Sequence, residues 1–595
     1  MSAANWIQLA VTLGVLFSLA PFLGRYMARV FEGERHPLSV LNPVERGIHR
    51  ICGIDPSRGM DWKEYVGALL ALNAAGFLSL MAMLMTQTWL PLNPQKACNM
   101  SWHLAFNTAV SFMTNTNWQA YSGETAVSNL AQMAGLAVQN FLSAATGMAA
   151  ALALIRGIRA TPAAVPRLGS FMRHFASKLH GAGQAPPVEP RSVVKSATLG
   201  NFWVDMTRAI LYVLLPLSLI LAVLLVSQGV VQNFSGPLKA TTLEGKEQTI
   251  PMGPAASQIA IKQIGTNGGG FFGVNSAHPF ENPTPFSNFL ELLAILLLPV
   301  SFPFLFGRMV RSPKQGRALF AAMTALFLLG LAVILAAEYG YNGMSGGAGS
   351  MEGKETRFAI SGSALWAEFT TAASNGSVNS MHDSFSPLGG LVPLANMMLG
   401  EVIYGGVGCG LYGMLLFVIL TVFLAGLMVG RTPEYLGKKI EAGEVQLSML
   451  AIVGPNLAVL FLSAAAVATK TGLSSLANQG PHGLSEILYA FASGVGNNGS
   501  AFAGLAVNTP FYNILIGIAM LVGRFVILVP AVAIGGRLAG KRPVPAGAGT
   551  FATDGASFTV LLTAVILIVV GLTFFPALVL GPVIEHFLAL RGVIF

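Results

Sequence analysis

Charged residues and cysteines are scarce in this chain of 595 residues. Only 10% of its residues are charged, against roughly 25% in soluble domains, and 53% are hydrophobic. The three cysteines, Cys52, Cys98 and Cys409, are far apart and predict neither a disulfide framework nor a paired-cysteine metal site. The sequence also lacks a DKTGT phosphorylation motif and a GxxxxGKS or GxxxxGKT phosphate loop. We therefore expect no ATP site on this chain, and its composition excludes an ordinary soluble domain.

Long apolar runs fill most of the chain and predict an all-α polytopic membrane protein. Ten runs are long enough for a transmembrane helix. They lie near 5–24, 64–88, 127–155, 203–228, 286–307, 317–337, 391–430, 448–469, 511–536 and 557–580. The seventh run is too long for one span, and glycines interrupt it at Gly405, Gly406, Gly408 and Gly410.

Lysine and arginine residues between the spans indicate the orientation. They cluster within 25–63, 156–195, 308–317, 431–439 and 537–542. When the spans alternate in direction, all five clusters fall on one side, which is cytoplasmic by the positive-inside rule. The N-terminus is then expected outside. The formal net charge of +9 reflects this orientation and does not indicate a nucleic-acid partner.

Four short polar turns fall on the opposite, outer side. They read TNTN at 114–117, TNGGG at 266–270, SNGS at 374–377 and NNGS at 497–500. Each follows a run too short to span the bilayer, and these runs lie at about 102–113, 255–265, 362–373 and 484–495. A unit of span, half-helix, filter-like turn and span therefore repeats four times, with one more span before the units and one after them. The pattern predicts a pseudo-fourfold pore.

The chemistry of the turns favours a monovalent cation. A half-helix that ends at mid-membrane directs the negative end of its dipole toward the pore axis. Backbone carbonyls can replace the water shell of an ion there, and glycine permits the backbone dihedral angles that this requires. The turns carry no carboxylate ring of the kind that divalent ions usually meet. Asn-Gly is also a common loop dipeptide, so the prediction depends on four matching positions.

Five long motifs surround these turns and the interrupted span: TNTNWQAYSGE at 114–124, TNGGGFFGVNSAHPFENP at 266–283, MHDSFSPLGG at 381–390, GEVIYGGVGCGLYG at 400–413 and GNNGSAFAG at 496–504. They resemble the potassium-binding subunit family (KdpA) of the Kdp potassium-transporting ATPases, within the superfamily of K⁺ transporters. The resemblance covers nearly the whole chain. It implies an ATP-driven, high-affinity potassium import complex in a bacterial inner membrane. The chain would select and translocate the ion, with the P-type ATPase of the complex (KdpB), KdpC and the small single-span protein KdpF as partners. It implies no cofactor, since potassium is the transported ion.

The predicted site has three parts. The residues expected to bind potassium, mainly through backbone carbonyls, are Asn115, Thr116, Thr266, Asn267, Gly268, Ser374, Asn375, Gly376, Asn497, Asn498 and Gly499. Gln119 follows the first turn, and the family pattern makes it a selectivity residue. The glycines at 405, 406, 408 and 410 are expected to form a gating loop below the filter, although they could simply allow tight helix packing.

Two charged residues lie at membrane depth, where charges are costly and usually functional. Glu401 could stabilise potassium in transit. Arg524 could block direct exit to the cytoplasm and divert the ion toward the ATPase subunit, as the resemblance implies. The alternative is that both residues form structural ion pairs.

Other polar residues near the turns are assigned no role in the pore. Lys262, Glu368 and Glu486 lie in the half-helices. His382 and Asp383 follow the third turn and are interpreted as loop structure, because a lone His-Asp pair is weak evidence for a metal.

The predicted organisation is a first span and cytoplasmic loop (1–62), repeat 1 (63–160), a cytoplasmic loop (161–202), repeat 2 (203–312), repeat 3 (313–445), repeat 4 (446–545) and a last span with the C-terminus (546–595). One alternative function is a stand-alone potassium channel or transporter of the Trk or Ktr kind, gated by separate nucleotide-binding subunits. A second is an inverted-repeat transporter for an organic solute, which predicts two broken helices with charged ligands rather than four outer turns.

Overall fold

The computed structural model describes residues 1–160, 198–340, 350–400, 402–545 and 550–593. Glu401 and most of the predicted loop 161–202 therefore lie outside the described residues. In chain order the main helices are α1 (Ala3–Glu32), α2 (Asn42–Ile51), α3 (Trp62–Met85), α4 (Trp102–Met113), α5 (Ala131–Arg159), α6 (Phe202–Ser227), α7 (Ala255–Ile264), α8 (Pro285–Met309), α9 (Pro313–Gly340), α10 (Ala359–Ala372), α11 (Pro387–Met398), α12 (Cys409–Val429), α13 (Ala442–Val467), α14 (Gly480–Val495), α15 (Pro510–Ala539) and α16 (Ala556–Ala589).

Ten of these helices are long and apolar enough to cross a membrane, which confirms the predicted number within the described residues. They are α1, α3, α5, α6, α8, α9, α12, α13, α15 and α16. A π-helical segment begins α5, and others interrupt α6 and α16. The boundaries differ modestly from the predicted ones. For example, α1 continues to Glu32, because its apolar residues Val30 and Phe31 are buried as well.

The four predicted half-helices are α4, α7, α10 and α14, with 12, 10, 14 and 16 residues. At 1.5 Å per residue they extend roughly 15–24 Å, less than the roughly 30 Å of a hydrocarbon core. Each stands between two spans, so the structure has the all-α fold with four repeats of span, half-helix, turn and span that the sequence predicts.

The seventh predicted span is two helices, α11 and α12. In the segment between them, 399–408, the described residues 399–400 and 402–408 are not helical. Gly400, Gly405 and Gly408 adopt positive φ angles of 73°, 64° and 86°, which end the helical path at minimal steric cost. The predicted interruption is therefore present.

The spans differ in burial, which separates an inner layer from an outer one. The most buried are α5, α8 and α12, whereas α1, α3 and α16 expose most of their apolar surface. Small residues allow close contact inside: a Cβ on Gly157 of α5 would lie 2.2 Å from the carbonyl O of Gly535 in α15. The pore region therefore sits among helices whose backbones approach closely.

The remaining elements are short and lie between these helices. A hairpin pairs β1 (Leu238–Thr241) antiparallel with β2 (Glu247–Ile250), and a smaller one pairs β3 (Glu434–Tyr435) with β4 (Lys438–Lys439). Short helical turns occur at Pro37–Leu41, Gln87–Trp89, Gly123–Ala126, Asn275–Ala277, His382–Ser384 and Lys470–Leu473.

Candidate ion-selective site

All four half-helices end in the same backbone geometry. The second residue after each helix end adopts a left-handed conformation without being glycine: Asn115 (φ 72°), Thr266 (49°), Ser374 (50°) and Asn497 (47°). The next N–H then donates to a carbonyl one turn back: Thr116 to Ser111 (2.9 Å), Asn267 to Lys262 (2.8 Å), Asn375 to Thr370 (2.8 Å) and Asn498 to Ser493 (2.9 Å). This is the Schellman arrangement, which terminates a helix and redirects the chain. The ends of the four half-helices are therefore equivalent, residue by residue.

The chains after these turns converge on one point, which Gly268 marks. A Cβ built on Gly268 would lie 2.4 Å from the carbonyl O of Thr116, 2.9 Å from that of Asn498 and 3.0 Å from that of Asn375. Those three residues hold the same position in repeats 1, 4 and 3, and all are buried. Neutral backbone oxygens from three repeats therefore meet at the backbone of the fourth, as a carbonyl filter requires.

Two further glycines leave no room for a side chain beside the same oxygens. A Cβ on Gly499 would lie 1.8 Å from the carbonyl O of Thr116, and one on Gly376 would lie 1.9 Å from that of Asn498. Both glycines also have positive φ angles, 95° and 84°. Glycine is therefore required at both positions by space and by backbone conformation.

Hydrogen bonds join the half-helix and filter turn of each repeat to those of the next repeat around the pore. They run from Asn115 Nδ2 to Thr266 O (2.8 Å), from Ser377 Oγ to Gln263 Oε1 (3.1 Å), from Ser374 Oγ to Gly496 O (2.6 Å) and from Asn497 Nδ2 to Thr116 Oγ1 (2.9 Å). These bonds connect repeat 1 to 2, 2 to 3, 3 to 4 and 4 to 1. The ring is closed, so these hydrogen bonds constrain the separation of all four turns.

Gln119 contacts the second filter turn across the repeat boundary. Its Oε1 accepts from Gly270 N (2.9 Å), and its Nε2 donates to Gly270 O (3.1 Å). The side chain is half-buried and uses both ends of its amide on one backbone position. This geometry suits support of the filter backbone.

The glycine-interrupted segment 399–408 is bonded directly to the ends of two half-helices. Tyr404 N and Gly405 N donate to the carbonyl O of Ala372, at 3.0 and 2.8 Å, where α10 ends. Val407 N donates to Thr266 Oγ1 at 2.9 Å, next to the end of α7. The structure therefore brings this predicted gating segment against the second and third filter turns.

Close backbone contacts fix the shape of that segment. A Cβ on Gly408 would lie 2.4 Å from the carbonyl O of Gly147, and one on Gly410 would lie 1.6 Å from that of Tyr404. A Cβ on Gly406 would lie 3.3 Å from Thr266 Oγ1. The glycines therefore allow a tight fold of the segment as well as contact between helices.

Arg524 lies beside the same segment. Its guanidinium is buried, with Nη1 donating to Cys409 Sγ (2.9 Å) and Nη2 to the carbonyl O of Ser143 (2.7 Å). Cys409 is the first residue of α12, and Ser143 Oγ in turn donates to Asn115 Oδ1 (2.8 Å). Arg524 is thus connected to the segment 399–408 through Cys409 and to the first filter turn through Ser143.

Sequence reasoning missed Ser143 and Lys262. Ser143 is a polar residue in the most buried apolar span, and that contrast is the signal that could have identified it. Lys262 was assigned no role in the pore, yet its Nζ donates to the carbonyl O of Gly269 (2.9 Å) in the second filter turn. By contrast, Glu368 and Glu486 accept from Asn396 (2.9 Å) and Asn478 (3.0 Å), away from the filter turns.

The residues after the third turn belong to an ionic cluster. His482, in the first turn of α14, is hydrogen-bonded through Nε2 to Asp383 (3.0 Å) and through Nδ1 to Glu585 (2.8 Å), and Glu486 lies beside them. Burial alone would lower the pKa of His482, but the two carboxylates raise it to about 10. The ring is then an imidazolium at neutral pH and donates from both nitrogens, one to each carboxylate. The cluster is a protonated cross-link between the third repeat, the fourth repeat and α16.

Known proteins resemble this chain over its full length. The family model described as potassium-transporting ATPase A subunit matches residues 10–587. A protein of Rhodospirillum centenum named potassium-transporting ATPase potassium-binding subunit is 55% identical over 100% of this chain and 99% of its own length. The protein of that name from Leptospira interrogans is 52% identical over 99% of this chain and 100% of its own.

A solved structure of the potassium transporter TrkH from Vibrio parahaemolyticus also aligns, over 88% of this chain and 96% of that one, with 14% identity and a TM-score of 0.47. The family match and the curated relatives both extend across all four filter turns and the segment between α11 and α12. The chain therefore belongs to the family of potassium-transporting ATPase A subunits.

Proposed function

We propose that this chain selects and translocates potassium as one subunit of an ATP-driven, high-affinity import complex. The observation that carries the proposal is the closed ring of four filter turns, in which buried neutral carbonyls converge beside Gly268. Such oxygens can replace the water shell of a large monovalent cation without a fixed negative charge. The curated relatives are named for potassium binding, which supports the same ion.

The ion enters from the outside, where the filter turns open. The segment 399–408 then acts as a gate, supported by its hydrogen bonds to Ala372 and Thr266. Arg524 disfavours a straight exit, because two unit charges about 6 Å apart at an effective dielectric constant of about 20 repel by about 3 kcal/mol. That repulsion would lower the occupancy of a cation near the guanidinium about a hundredfold. The ion leaves sideways, toward a P-type ATPase subunit, and Glu401 stabilises it in transit.

The remaining partners follow from the division of labour within such a complex. The P-type ATPase, KdpB, hydrolyses ATP, since this sequence has neither the phosphorylation motif nor the phosphate loop. KdpC and the single-span KdpF complete the assembly. The complex resides in the bacterial inner membrane with the N-terminus of this chain outside, because the basic clusters then face the cytoplasm. No cofactor is required, and potassium is the cargo.

Purification of the tagged chain in mild detergent tests this function. We expect a P-type ATPase to copurify, and its ATP hydrolysis to rise with potassium. A solitary chain that carries passive potassium current without ATP would instead support a stand-alone Trk- or Ktr-type channel or transporter.

A further inference from the structure

One position in each half-helix anchors the filter turn that follows it. It is the residue whose carbonyl accepts the Schellman hydrogen bond, namely Ser111, Lys262, Thr370 and Ser493. In three repeats a neutral hydroxyl does the anchoring. The bonds run from Ser111 Oγ to Trp118 O (3.0 Å), from Thr370 Oγ1 to Asn375 Oδ1 (3.3 Å) and from Gly499 N to Ser493 Oγ (3.0 Å). The second repeat alone among the four has a charged residue there.

Lys262 makes the corresponding bond with an ammonium. Its Nζ donates to the carbonyl O of Gly269 at 2.9 Å. Donor and acceptor are seven residues apart in the sequence, as are Ser111 and Trp118 in the first repeat. The side chain of Lys262 is 1% exposed, so its ammonium is a buried charge. It lies directly behind residues 269–272, which we call the second filter strand. A buried ammonium normally requires a compensating anion.

Glu281 supplies that anion and contacts the same strand. It forms an ion pair with Lys262, its own side chain is 0% exposed, and its Oε2 accepts from Phe272 N at 3.3 Å. A Cβ on Gly270 would lie 2.9 Å from the same Oε2. The pair therefore holds the strand 269–272 from one side, while Gln119 holds Gly270 from the other.

The second strand departs from fourfold symmetry at the point where Lys262 holds it. In repeats 1, 3 and 4 the second left-handed residue of the turn is Asn117 (φ 54°), Gly376 (84°) or Gly499 (95°). In repeat 2 the equivalent residue, Gly268, does not have a positive φ. The second left-handed residue of this turn is instead Gly269 (68°), one position later. The carbonyl that follows this reversal is the one that Lys262 binds.

We propose that Lys262 is a positioning residue for ion selectivity. It binds the carbonyl of Gly269 and so fixes the second filter strand in a conformation that the other three strands lack. Glu281 cancels the charge of the ammonium, so that the brace adds no net repulsion toward a cation in the filter. The proposal rests on the proposed function, since it takes potassium as the selected ion.

The test is a double substitution in the intact complex, Lys262→Met with Glu281→Gln. It removes both charges of the pair together, so neither partner is left as an unpaired ion, and folding is preserved better than in either single variant. The readout is the apparent affinity for potassium and for rubidium in ATP hydrolysis. We expect the potassium affinity to fall about tenfold, and the ratio of potassium to rubidium affinity to fall several-fold.

A second buried Lys–Glu pair provides the matched control. Lys354 and Glu338 are 2.9 Å apart and both 0% exposed, and their further partners are Ser350, Ser386 and the ring of Phe385 rather than a filter strand. We expect Lys354→Met with Glu338→Gln to lower thermal stability and expression while keeping the wild-type ion ratio. An unchanged ratio in the Lys262 double variant, or an equal change in both double variants, would overturn the proposal. Absence of potassium stimulation in the wild-type complex would instead refute the proposed function.

Discussion

At the scale of single residues, the hydroxyl of Thr266 connects the second filter turn to the predicted gating segment. A β-branched residue with φ of 49° is uncommon, because its Cβ crowds the backbone in the left-handed region. Its Oγ1 donates to the carbonyl O of Gly265 (2.8 Å) and accepts from Val407 N (2.9 Å). A movement of the segment 399–408 therefore pulls on the backbone that forms the second filter turn.

Substitution of Gly268 tests the convergence of carbonyls directly. The backbone of Gly268 lies outside the left-handed region, so alanine is acceptable there on conformational grounds and only space decides. Its methyl group would lie 2.4 Å from Thr116 O, and overpacking of this kind costs about 1–3 kcal/mol. We expect Gly268→Ala to weaken apparent potassium affinity about tenfold in potassium-stimulated ATP hydrolysis. Gly268→Asp should weaken affinity and discrimination further, since it adds a charge.

Gly47 is the matched control for that substitution, because no atom lies within 4 Å of its ideal Cβ position. Gly47→Ala should leave potassium affinity unchanged. Unchanged affinity in Gly268→Asp would count against the filter assignment.

Arg524 gives the second prediction at this scale. Removal of the guanidinium takes a positive charge from beside Cys409 and opens space next to the gate. We expect Arg524→Ala to allow downhill potassium flux in proteoliposomes that is not coupled to ATP hydrolysis, and Arg524→Lys to retain most of the coupling because it keeps the charge. Normal coupling in Arg524→Ala, with lower expression as the sole defect, would contradict a barrier role.

At the scale of elements, the segment between α11 and α12 is predicted to be the gate. Its contacts to Ala372, Thr266 and Gly147 fill the space next to the filter turns. Deletion of a few residues within 405–410 should open an ungated leak, measured as passive potassium flux without ATP. If passive flux stays at the wild-type level in a variant that still assembles, the segment is a structural connection between two helices.

The cross-link at His482 joins three elements and predicts a pH dependence of stability. Burial disfavours the imidazolium, yet the hydrogen bonds to Asp383 and Glu585 raise the pKa of His482 to about 10 from 6.5. Because the pKa is raised in the folded state, protonated His482 contributes its full stabilisation of the fold below pH 6.5. This contribution is lost as the pH rises through about 10. Hydrogen bonds to charged groups contribute about 1.5–3 kcal/mol each.

Thermal unfolding between pH 7 and pH 10 measures this contribution. The wild-type protein should lose stability across the range more steeply than His482→Gln, which should be less stable at pH 7 by about 2 kcal/mol. Equal slopes in the two proteins would show that His482 does not titrate in this window.

The sequence alone predicts the elements well and their contacts poorly. Lengths and apolar patterns predict the half-helices to within four residues, as with α10 at Ala359–Ala372 against the expected 362–373. The glycines at 405–410 likewise predict a break. No local sequence pattern predicts the hydrogen bonds from Ser143 to Asn115 and from Gln119 to Gly270, because they join residues of different elements or repeats. Lys262 is predicted from the sequence to have no role in the pore, because nothing local places its ammonium on the backbone of the second filter turn.

At the scale of the whole molecule, four unequal repeats form one closed ring. The bonds that join repeat 1 to 2, 2 to 3, 3 to 4 and 4 to 1 each use a different donor and acceptor, and in two of them the acceptor is a backbone carbonyl. A single chain can therefore alter one repeat, as at Lys262, without changing the other three. An arrangement of four identical subunits has no such freedom, since every substitution would appear four times.

The most direct test of the account is the position of the bound ion. Thallium, a heavy monovalent substitute for potassium, can be located by anomalous scattering from crystals of the intact complex. The account predicts an anomalous peak beside Gly268, enclosed by the carbonyls of Thr116, Asn267, Asn375 and Asn498. Excess potassium should displace the thallium and remove this peak. A peak elsewhere, coordinated by carboxylates, with none among these carbonyls would contradict it.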